Sequence, residues 1–334
     1  YYSRVAFQRI APESNPRFGL LRRGFSRPDE VPLPYPFYVK PVKAAFSVLA
    51  RRVESFEDLY RHTRFAWLEG AIIERLVKPF ADVMRAHSRL PEGPFSMVCE
   101  EVIRGRQVTA NGYARDGRVT MLGTVDSVMY PGTDQFQRFQ YPSNLPAAAL
   151  ARVDELARRI LEGLGFRHGM FNIEMRLDPA SGDLRVIEVN PRAAGQFYDL
   201  FERVDGYSLF EALLDLECGM EPVVRRREGR QGHAASFVLR DLTGEGLSRW
   251  PSMRRIDRLR EAHADTHVMI YRKRGADLAR EMKWLGSYRY GVFNLGGATI
   301  EEMFGRFHRI CRDIDFHPAS HRVPDLELLL EGHD

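Results

Sequence analysis

The stretch GMFNIEMRLDPASGDLRVIEVNPRAAGQ, residues 169–196, decides the fold. Two apolar runs, 170–177 and 184–189, flank residues 178–183, where Asp, Pro, Ser and Gly cluster as they do in turns. Apolar runs of this length on either side of such a turn predict a β-hairpin.

Three oxygen-bearing side chains are expected on one face of this hairpin. Because side chains alternate across a strand, Glu188 and Asn190 share a face, and Glu174 can reach it from the partner strand. Carboxylates among apolar neighbours are costly unless something positive lies between them. Two carboxylates and an amide oxygen suit Mg²⁺, a hard cation often shared with phosphates. The face therefore predicts a magnesium site, and a solvated hairpin whose acids face water is the alternative.

The pattern E…EVNPR, followed by the small residues 193–195, resembles the metal-binding signature of the ATP-grasp superfamily. Within the superfamily it is most similar to carboxylate–amine ligases, including the L-amino-acid (dipeptide) ligases. The resemblance implies that Glu174, Glu188 and Asn190 hold Mg²⁺ on ATP, with Mn²⁺ as an alternative ion. It also implies that Arg192 steadies the phosphate being transferred.

One residue next to the hairpin has a weaker assignment. His168 lies just before the first strand, and in amine ligases a residue near this position can approach the acyl phosphate. A lone histidine is more often structural, so both interpretations stay open.

A second segment resembles the phosphate-binding part of the same superfamily. Residues 37–41 form a predicted strand that ends in Lys-Pro, and the resemblance implies that Lys40 touches an ATP phosphate, with Lys43 as a second candidate. An ammonium is a compact point charge suited to that task. Many relatives continue with a Gly-rich loop, but residues 42–47 contain no glycine, so phosphate cover must differ here. An ordinary strand-end lysine is the alternative.

A third segment resembles the hinge of the ATP-grasp fold. Residues 95–103 are a predicted buried strand that ends in acids. The resemblance implies that adenine lies against the strand end at Glu100, Glu101 and Val102. Gln107 stands where an acid that holds the ribose is usual, and its amide can still bond hydroxyls. The spacing does not decide which of the two acids faces the nucleotide.

The remaining chain predicts an α/β (α+β) protein. The resemblance implies two α+β subdomains that grip ATP and a small C-terminal α+β lobe, and nothing in the chain matches the N-terminal α/β domain of the resembled ligases. We expect a connecting segment, a small subdomain, a large subdomain with the metal site, and the C-terminal lobe, at residues 1–33, 34–103, 104–222 and 223–334.

Several elements follow from apolar periodicity and from turn residues. We predict that residues 130–146 form a long irregular loop, whose aromatic rings either contact substrate or pack. The predicted strands and helices are helix 56–90, helix 147–164, strands 233–239, 267–272 and 288–295, and helix 300–314. The apolar residues of the first helix that are predicted to be core are Leu59, Phe65, Leu68, Ile72, Leu76, Phe80 and Met84.

Composition limits the class of protein. The chain has 334 residues, 44% hydrophobic and 28% charged, as in soluble globular proteins. A formal net charge of +4 fits an enzyme with anionic substrates and does not require nucleic acid. Three cysteines without a CxxC motif favour a reducing compartment, and no apolar run is long enough to cross a membrane. We therefore expect a cytoplasmic protein.

Together these features predict an ATP-dependent ligase that forms an amide bond through an acyl phosphate, releasing ADP and phosphate. The expected partners are ATP, a small amino-acid-like carboxylic acid and an amine, with no nucleic acid and no membrane. A homodimer is a possible assembly of the protein. Two alternatives remain. One is carboxyphosphate chemistry, as in biotin carboxylase-like or purine-biosynthetic enzymes, and the other is a nucleotide-binding module without turnover.

Overall fold

The structure is a computed structural model. It describes residues 1–42, 49–65, 67–87, 96–245, 247–314 and 317–318. The chain forms two compact units, Tyr1–Arg104 and Gly105–Asp334, and every strand pair within them is antiparallel.

The first unit contains a four-stranded sheet and three α-helices among its described residues. The helices are α1 (Tyr2–Ile10), α2 (Phe56–Thr63) and α3 (Trp67–His87). The strands are β1 (Phe18–Leu21), β2 (Phe37–Pro41), β3 (Arg51–Val53) and β4 (Met97–Glu101), in the spatial order β1-β4-β2-β3.

The N-terminal residues belong to this first unit. Strand β1 pairs with β4, so that Phe18 lies opposite Glu100. The residues predicted as a connecting segment, 1–33, therefore supply an edge strand of the sheet. The division of the chain into four segments stays a prediction.

The expected core face of helix 56–90 is only partly correct. The segment forms two helices, and Leu59 of α2 is fully buried as predicted. Leu76 and Phe80 of α3 are exposed, at 57% and 38% of their surface. Apolar spacing alone does not say whether a partner surface covers a given helix face.

The second unit is built around one eight-stranded sheet. Its strands are β5 (Arg106–Arg115), β6 (Arg118–Met129), β7 (Phe136–Tyr141), β8 (Gly169–Leu177), β9 (Leu184–Asn190), β10 (His233–Asp241), β12 (His267–Ile270) and β13 (Tyr288–Gly297), and a separate pair is formed by β11 (Leu247–Arg249) and β14 (His317–Pro318). The helices are α4 (Ala147–Gly163), α5 (Tyr198–Asp205), α6 (Leu209–Glu217), α7 (Met253–Ala262), α8 (Gly275–Leu285) and α9 (Ile300–Ile314).

The spatial order of the large sheet is β12-β13-β10-β7-β6-β5-β8-β9. The predicted strands after residue 222 are confirmed as β10, β12 and β13, and they continue the same sheet as the hairpin. Helices α5 and α6 cover one face of this sheet, and α9 covers the other. The hairpin β8–β9 lies at one edge.

The expectation of an irregular loop at 130–146 is wrong in part. Residues Phe136–Tyr141 form β7 in the middle of the sheet, and Phe139 and Tyr141 are buried in the core. Their rings therefore pack, as the second interpretation held. All but the first residue of β7 are buried although three of them, Gln137, Arg138 and Gln140, are polar, so the strand shows neither the alternation nor the continuous apolar run that would have identified it.

Candidate active site

The hairpin brings six polar side chains into three facing pairs. Residues directly opposite each other on antiparallel strands have side chains on the same face. We call these pairs the asparagine rung, the acid rung and the arginine rung. They are Asn172 with Asn190, Glu174 with Glu188, and Arg176 with Arg185.

A β-bulge makes this arrangement possible. Glu174 lies opposite Glu188, but Met175 lies opposite Val186, so Ile187 is the extra residue. Without the extra residue, simple alternation would put Arg185, three positions from Glu188, on the opposite face. The bulge therefore places the arginine rung beside the acid rung.

The acid rung has the chemistry of a divalent-cation site. Like charges directly opposite each other destabilise a strand pair unless something compensates them. In the protein, Gln107 Nε2 donates to Glu174 Oε2 at 2.9 Å, and Asn190 Nδ2 donates to Glu188 Oε1 at 3.0 Å. Glu174 is half-buried and Glu188 is exposed, so both carboxylates are within reach of an ion.

The Asn190 amide is oriented so that its oxygen can also bind a cation. Its Nδ2 also donates to Asn172 Oδ1 at 3.1 Å, so the amide nitrogen is used twice within the hairpin and the oxygen is left to bind a cation. Within the described ranges, no three His, Cys, Asp or Glu side chains form a metal cluster. Two carboxylates and one amide oxygen thus make the donor set, and hard oxygen ligands of this kind fit Mg²⁺ or Mn²⁺.

Arg192 projects from the turn that follows β9. Its backbone N–H donates to Asn190 O at 2.9 Å, which closes a tight turn around Pro191. The side chain is exposed, and its Nη1 donates to Ala193 O at 3.2 Å. No carboxylate of the described chain pairs with this guanidinium. Its remaining donors are therefore available to an anion.

Gln107 is engaged at both ends of its amide. Besides the bond to Glu174, its Oε1 accepts from Arg176 Nε at 3.5 Å, and Arg176 also pairs with Asp134 at 3.4 Å. The side chain is buried. The structure thus joins Gln107 to the acid rung, a partner that sequence reasoning did not foresee. Its role at the ribose stays a prediction.

In the first unit, the structure brings Lys40 and Glu100 together. Lys40 Nζ lies 3.0 Å from Glu100 Oε2, and buried Arg4 binds both oxygens of the same carboxylate at 2.7 and 2.9 Å. Burial raises the pKa of Glu100, but Lys40 and Arg4 together outweigh it and hold that pKa below its usual value. The carboxylate is therefore ionised and fixes the lysine ammonium in place.

The other predicted nucleotide residues lie around the end of β4. Glu101 accepts from the backbone N–H of Arg17 at 3.0 Å and from its side chain at 2.8 Å, on the opposite side of the strand from Glu100. Val102 follows the strand directly. Lys43 lies outside the described residues.

The structure does not bring His168 to the acid rung. His168 is exposed and precedes the first residue of β8, whereas Glu174 lies six residues further along the strand. At about 3.3 Å per residue, the two positions are roughly 20 Å apart. The approach of His168 to an acyl phosphate stays a prediction.

Sequence reasoning missed Asn172, Arg176 and Arg185. Alternation from Glu174 would have found the first two, because each is two residues away on the same strand. Arg185 could not be found in this way, because the bulge changes the alternation between it and Glu188.

A family model described as the ATP-grasp domain matches residues 33–199, which is half of the chain and includes both Lys40 and the whole hairpin. The chain belongs to the ATP-grasp family. The family predicted from the E…EVNPR pattern is thereby confirmed. ATP-grasp proteins use ATP together with divalent metal ions, in keeping with the donor set of the acid rung.

The ATP-grasp chain is similar in sequence to a carnosine synthase. Carnosine synthase 1 of Gallus gallus is 38% identical over 109 residues, which are 32% of this chain and 11% of that protein. The chain therefore matches about a tenth of the length of this curated relative.

Solved structures show the same ATP-grasp fold. The L-amino acid ligase from Bacillus licheniformis superposes with a TM-score of 0.64 at 18% identity, covering 94% of this chain and 71% of that one. Carboxyaminoimidazole ribonucleotide synthase from Aspergillus clavatus, solved with ATP, gives 0.62 at 16% identity, covering 94% and 72%. The predicted fold class is confirmed.

One further finding concerns membranes. In the part of this ATP-grasp chain that the structure describes, no helix combines the length and the apolar character needed to cross a bilayer.

Proposed function

We propose that this chain carries the metal- and phosphate-binding parts of an ADP-forming ligase, which joins a small amino-acid-like carboxylic acid to an amine. The observation that carries this proposal is the acid rung of Glu174 and Glu188, with Asn190 oriented beside it and Arg192 free to bind an anion. Similarity to an L-amino acid ligase and to carnosine synthases supports the same reaction class.

Glu174, Glu188 and Asn190 would hold the metal, for which we propose Mg²⁺ and, as a substitute, Mn²⁺. A bound divalent ion supplies charge neutralisation at phosphate oxygens. The acid rung is neutralised at the same time, which removes the cross-strand repulsion of the two carboxylates.

The proposed reaction has two steps. An oxygen of the substrate carboxylate attacks the γ-phosphorus of ATP, the bond to the bridging oxygen breaks, and ADP leaves with an acyl phosphate formed. The amine nitrogen then attacks the acyl carbon, phosphate leaves, and the nitrogen loses a proton as the amide forms. Arg192 contributes forked donors to the phosphoryl oxygens, where charge is present during transfer.

We propose that the first unit contributes to nucleotide binding through Lys40, whose ammonium is held by Glu100. An ammonium has three donors, so one bond to a carboxylate leaves others for a phosphate oxygen. The backbone at Glu101 and Val102 is proposed to bond the adenine edge, with Gln107 near the ribose. Lys43 stays a second candidate for the phosphates.

The test is release of ADP from ATP with a panel of paired amino acids, with Glu188→Gln as the inactive control. ADP formation that needs both an acid and an amine, and yields an amide product, supports the proposal. Release of ADP that depends on bicarbonate would replace it with carboxyphosphate chemistry. Tight binding of ATP without release of ADP under any condition would replace it with a nucleotide-binding module.

A further inference from the structure

Asn172, in the asparagine rung, hydrogen-bonds to both Asn190 and the backbone of Arg192. Asn172 is 3% exposed and lies on β8, opposite Asn190. Its Nδ2 donates to Arg192 O at 3.0 Å, and its Oδ1 accepts from Asn190 Nδ2 at 3.1 Å. One buried amide thus ties together the metal-side amide and the turn that carries the arginine.

The orientation of these amides follows from a single backbone atom. A backbone carbonyl can only accept, so the end of Asn172 that faces Arg192 O must be its nitrogen. The oxygen of Asn172 then faces Asn190, so Asn190 must present its own nitrogen there. The same nitrogen reaches Glu188 Oε1. The oxygen of Asn190 is thereby turned away from both partners and is left for a cation.

We propose that Asn172 is a positioning residue that sets the metal-binding orientation of the Asn190 amide and couples it to the turn at Arg192. The inference rests on the proposed function, since it assumes a divalent cation at the acid rung. Without Asn172, only the bond to Glu188 Oε1 holds the Asn190 amide, and a cation that binds this carboxylate leaves the amide able to rotate and present N–H groups, which cannot bind a cation.

A purely structural role is the alternative, because any buried asparagine with two hydrogen bonds stabilises its strands. The chain offers a matched control for this. Asn111 lies on β5 directly opposite Asn172, is 1% exposed, and donates to Thr109 O at 2.9 Å. It makes no hydrogen bond to Asn190 or to the turn. Asn111→Ala therefore removes a similar buried amide and leaves the orientation of Asn190 unchanged.

The experiment is a titration of Mn²⁺ in the presence of ADP, with free Mn²⁺ measured by electron paramagnetic resonance. The proteins are the wild type, Asn172→Ala and Asn111→Ala, each shown to be folded by circular dichroism and by its Tm. We expect Asn172→Ala to bind Mn²⁺ about tenfold more weakly, the size typical of losing a residue that orients a metal ligand. Asn111→Ala should keep the wild-type affinity, whatever the change in its Tm.

A third variant separates positioning from structure. As a carboxylate, the side chain of Asn172→Asp keeps an oxygen to accept from Asn190 Nδ2 but loses the donor to Arg192 O. We expect it to bind Mn²⁺ at least as well as the wild type while its turnover falls about tenfold, because the turn is no longer held. A purely structural role predicts instead that Asn172→Asp binds Mn²⁺ more weakly than Asn172→Ala, because its buried charge would make it the least stable of the variants.

Folded Asn172→Ala with wild-type affinity for Mn²⁺ would overturn the inference and leave the proposed function standing. A wild-type protein that binds no Mn²⁺ with ADP would overturn the proposed function and the inference together. If Asn172→Asp does not fold, the comparison of Asn172→Ala with Asn111→Ala still decides the matter.

Discussion

Replacing Arg192 by lysine keeps a positive charge but removes the planar fork of donors that suits phosphate. In the protein, the guanidinium is exposed and its hydrogen bond among the described residues goes to the neighbouring carbonyl of Ala193. A side chain with so few contacts has little to lose in stability. The substitution therefore tests the role in phosphoryl transfer almost in isolation.

The expected effects of Arg192→Lys on stability and on turnover differ widely in size. Surface substitutions without special contacts change the free energy of unfolding by less than about 0.5 kcal/mol. For a unit of the size of Gly105–Asp334, the entropy of unfolding is roughly 0.5 kcal/mol per degree, so Tm should move by about 1 °C. Loss of one preorganised donor to a developing charge costs on the order of a hundredfold in kcat, about 2.7 kcal/mol.

The assay measures kcat and KM for ATP by coupled detection of ADP, together with Tm, on the same preparation of Arg192→Lys. We expect kcat to fall much more than KM rises, because the interaction forms mainly in the transition state. A lower Tm with unchanged kcat would refute the role of Arg192 in phosphoryl transfer and assign it to the stability of the turn. A rise in KM with unchanged kcat would show uniform binding of ATP instead.

Three other substitutions have definite outcomes. Glu188→Gln should reduce ADP formation at least about a hundredfold without lowering Tm, because it removes a like-charge pair; near-normal ADP formation would show that Glu188 is not a ligand. Glu100→Gln should lower the free energy of unfolding by about 3 kcal/mol at pH 7, since it removes the charge that the buried Arg4 guanidinium binds at 2.7 Å. The pKa of Glu100 is depressed in the folded state, so the greater stability of the wild type should be lost as the pH falls below about 4. Urea midpoints of both proteins at pH 7 and pH 3 measure this. A difference in stability that does not depend on pH would contradict it. Gly105→Ala should destabilise by more than about 1 kcal/mol, because Gly105 has φ +100° and a Cβ would lie 2.2 Å from Leu177 O; an unchanged urea midpoint would argue against this.

Local signals predicted much of the fold. The turn chemistry at 178–183 and the apolar runs beside it predicted the hairpin, and the structure shows β8 and β9 there. Helix α9 begins and ends where apolar periodicity predicted. Such elements are determined by residues close in sequence, so one sequence is enough to find them.

Other features depend on residues far apart in sequence. The exposure of Leu76 depends on whether another element covers α3, and the strand at Phe136–Tyr141 is recognisable only once helices are known to cover both faces. The contact of Gln107 with Glu174 joins strands 67 residues apart. Alternation along one strand carries none of this information.

The candidate site shows the same limit. Glu174, Glu188 and Asn190 were predicted as one cluster, and the register of the two strands brings them together. Arg185 escaped because a single extra residue at Ile187 shifts the alternation, and a bulge has no distinctive composition here. The roles of all these residues in metal binding and catalysis stay predictions.

The bonds from Arg192 O through Asn172 to Asn190 link a peptide group to two amides, and none of these groups gains or loses a proton in the working range of an enzyme. Their strength does not depend on a net charge, so added salt screens them far less than it screens an ion pair. The frame of the site should hold its shape across pH and ionic strength, while the carboxylates of the acid rung respond to both. Any acid limb or salt dependence measured for this protein therefore reports the occupancy of the carboxylates and the charge of the ligands, and not a loosening of the turn that holds them.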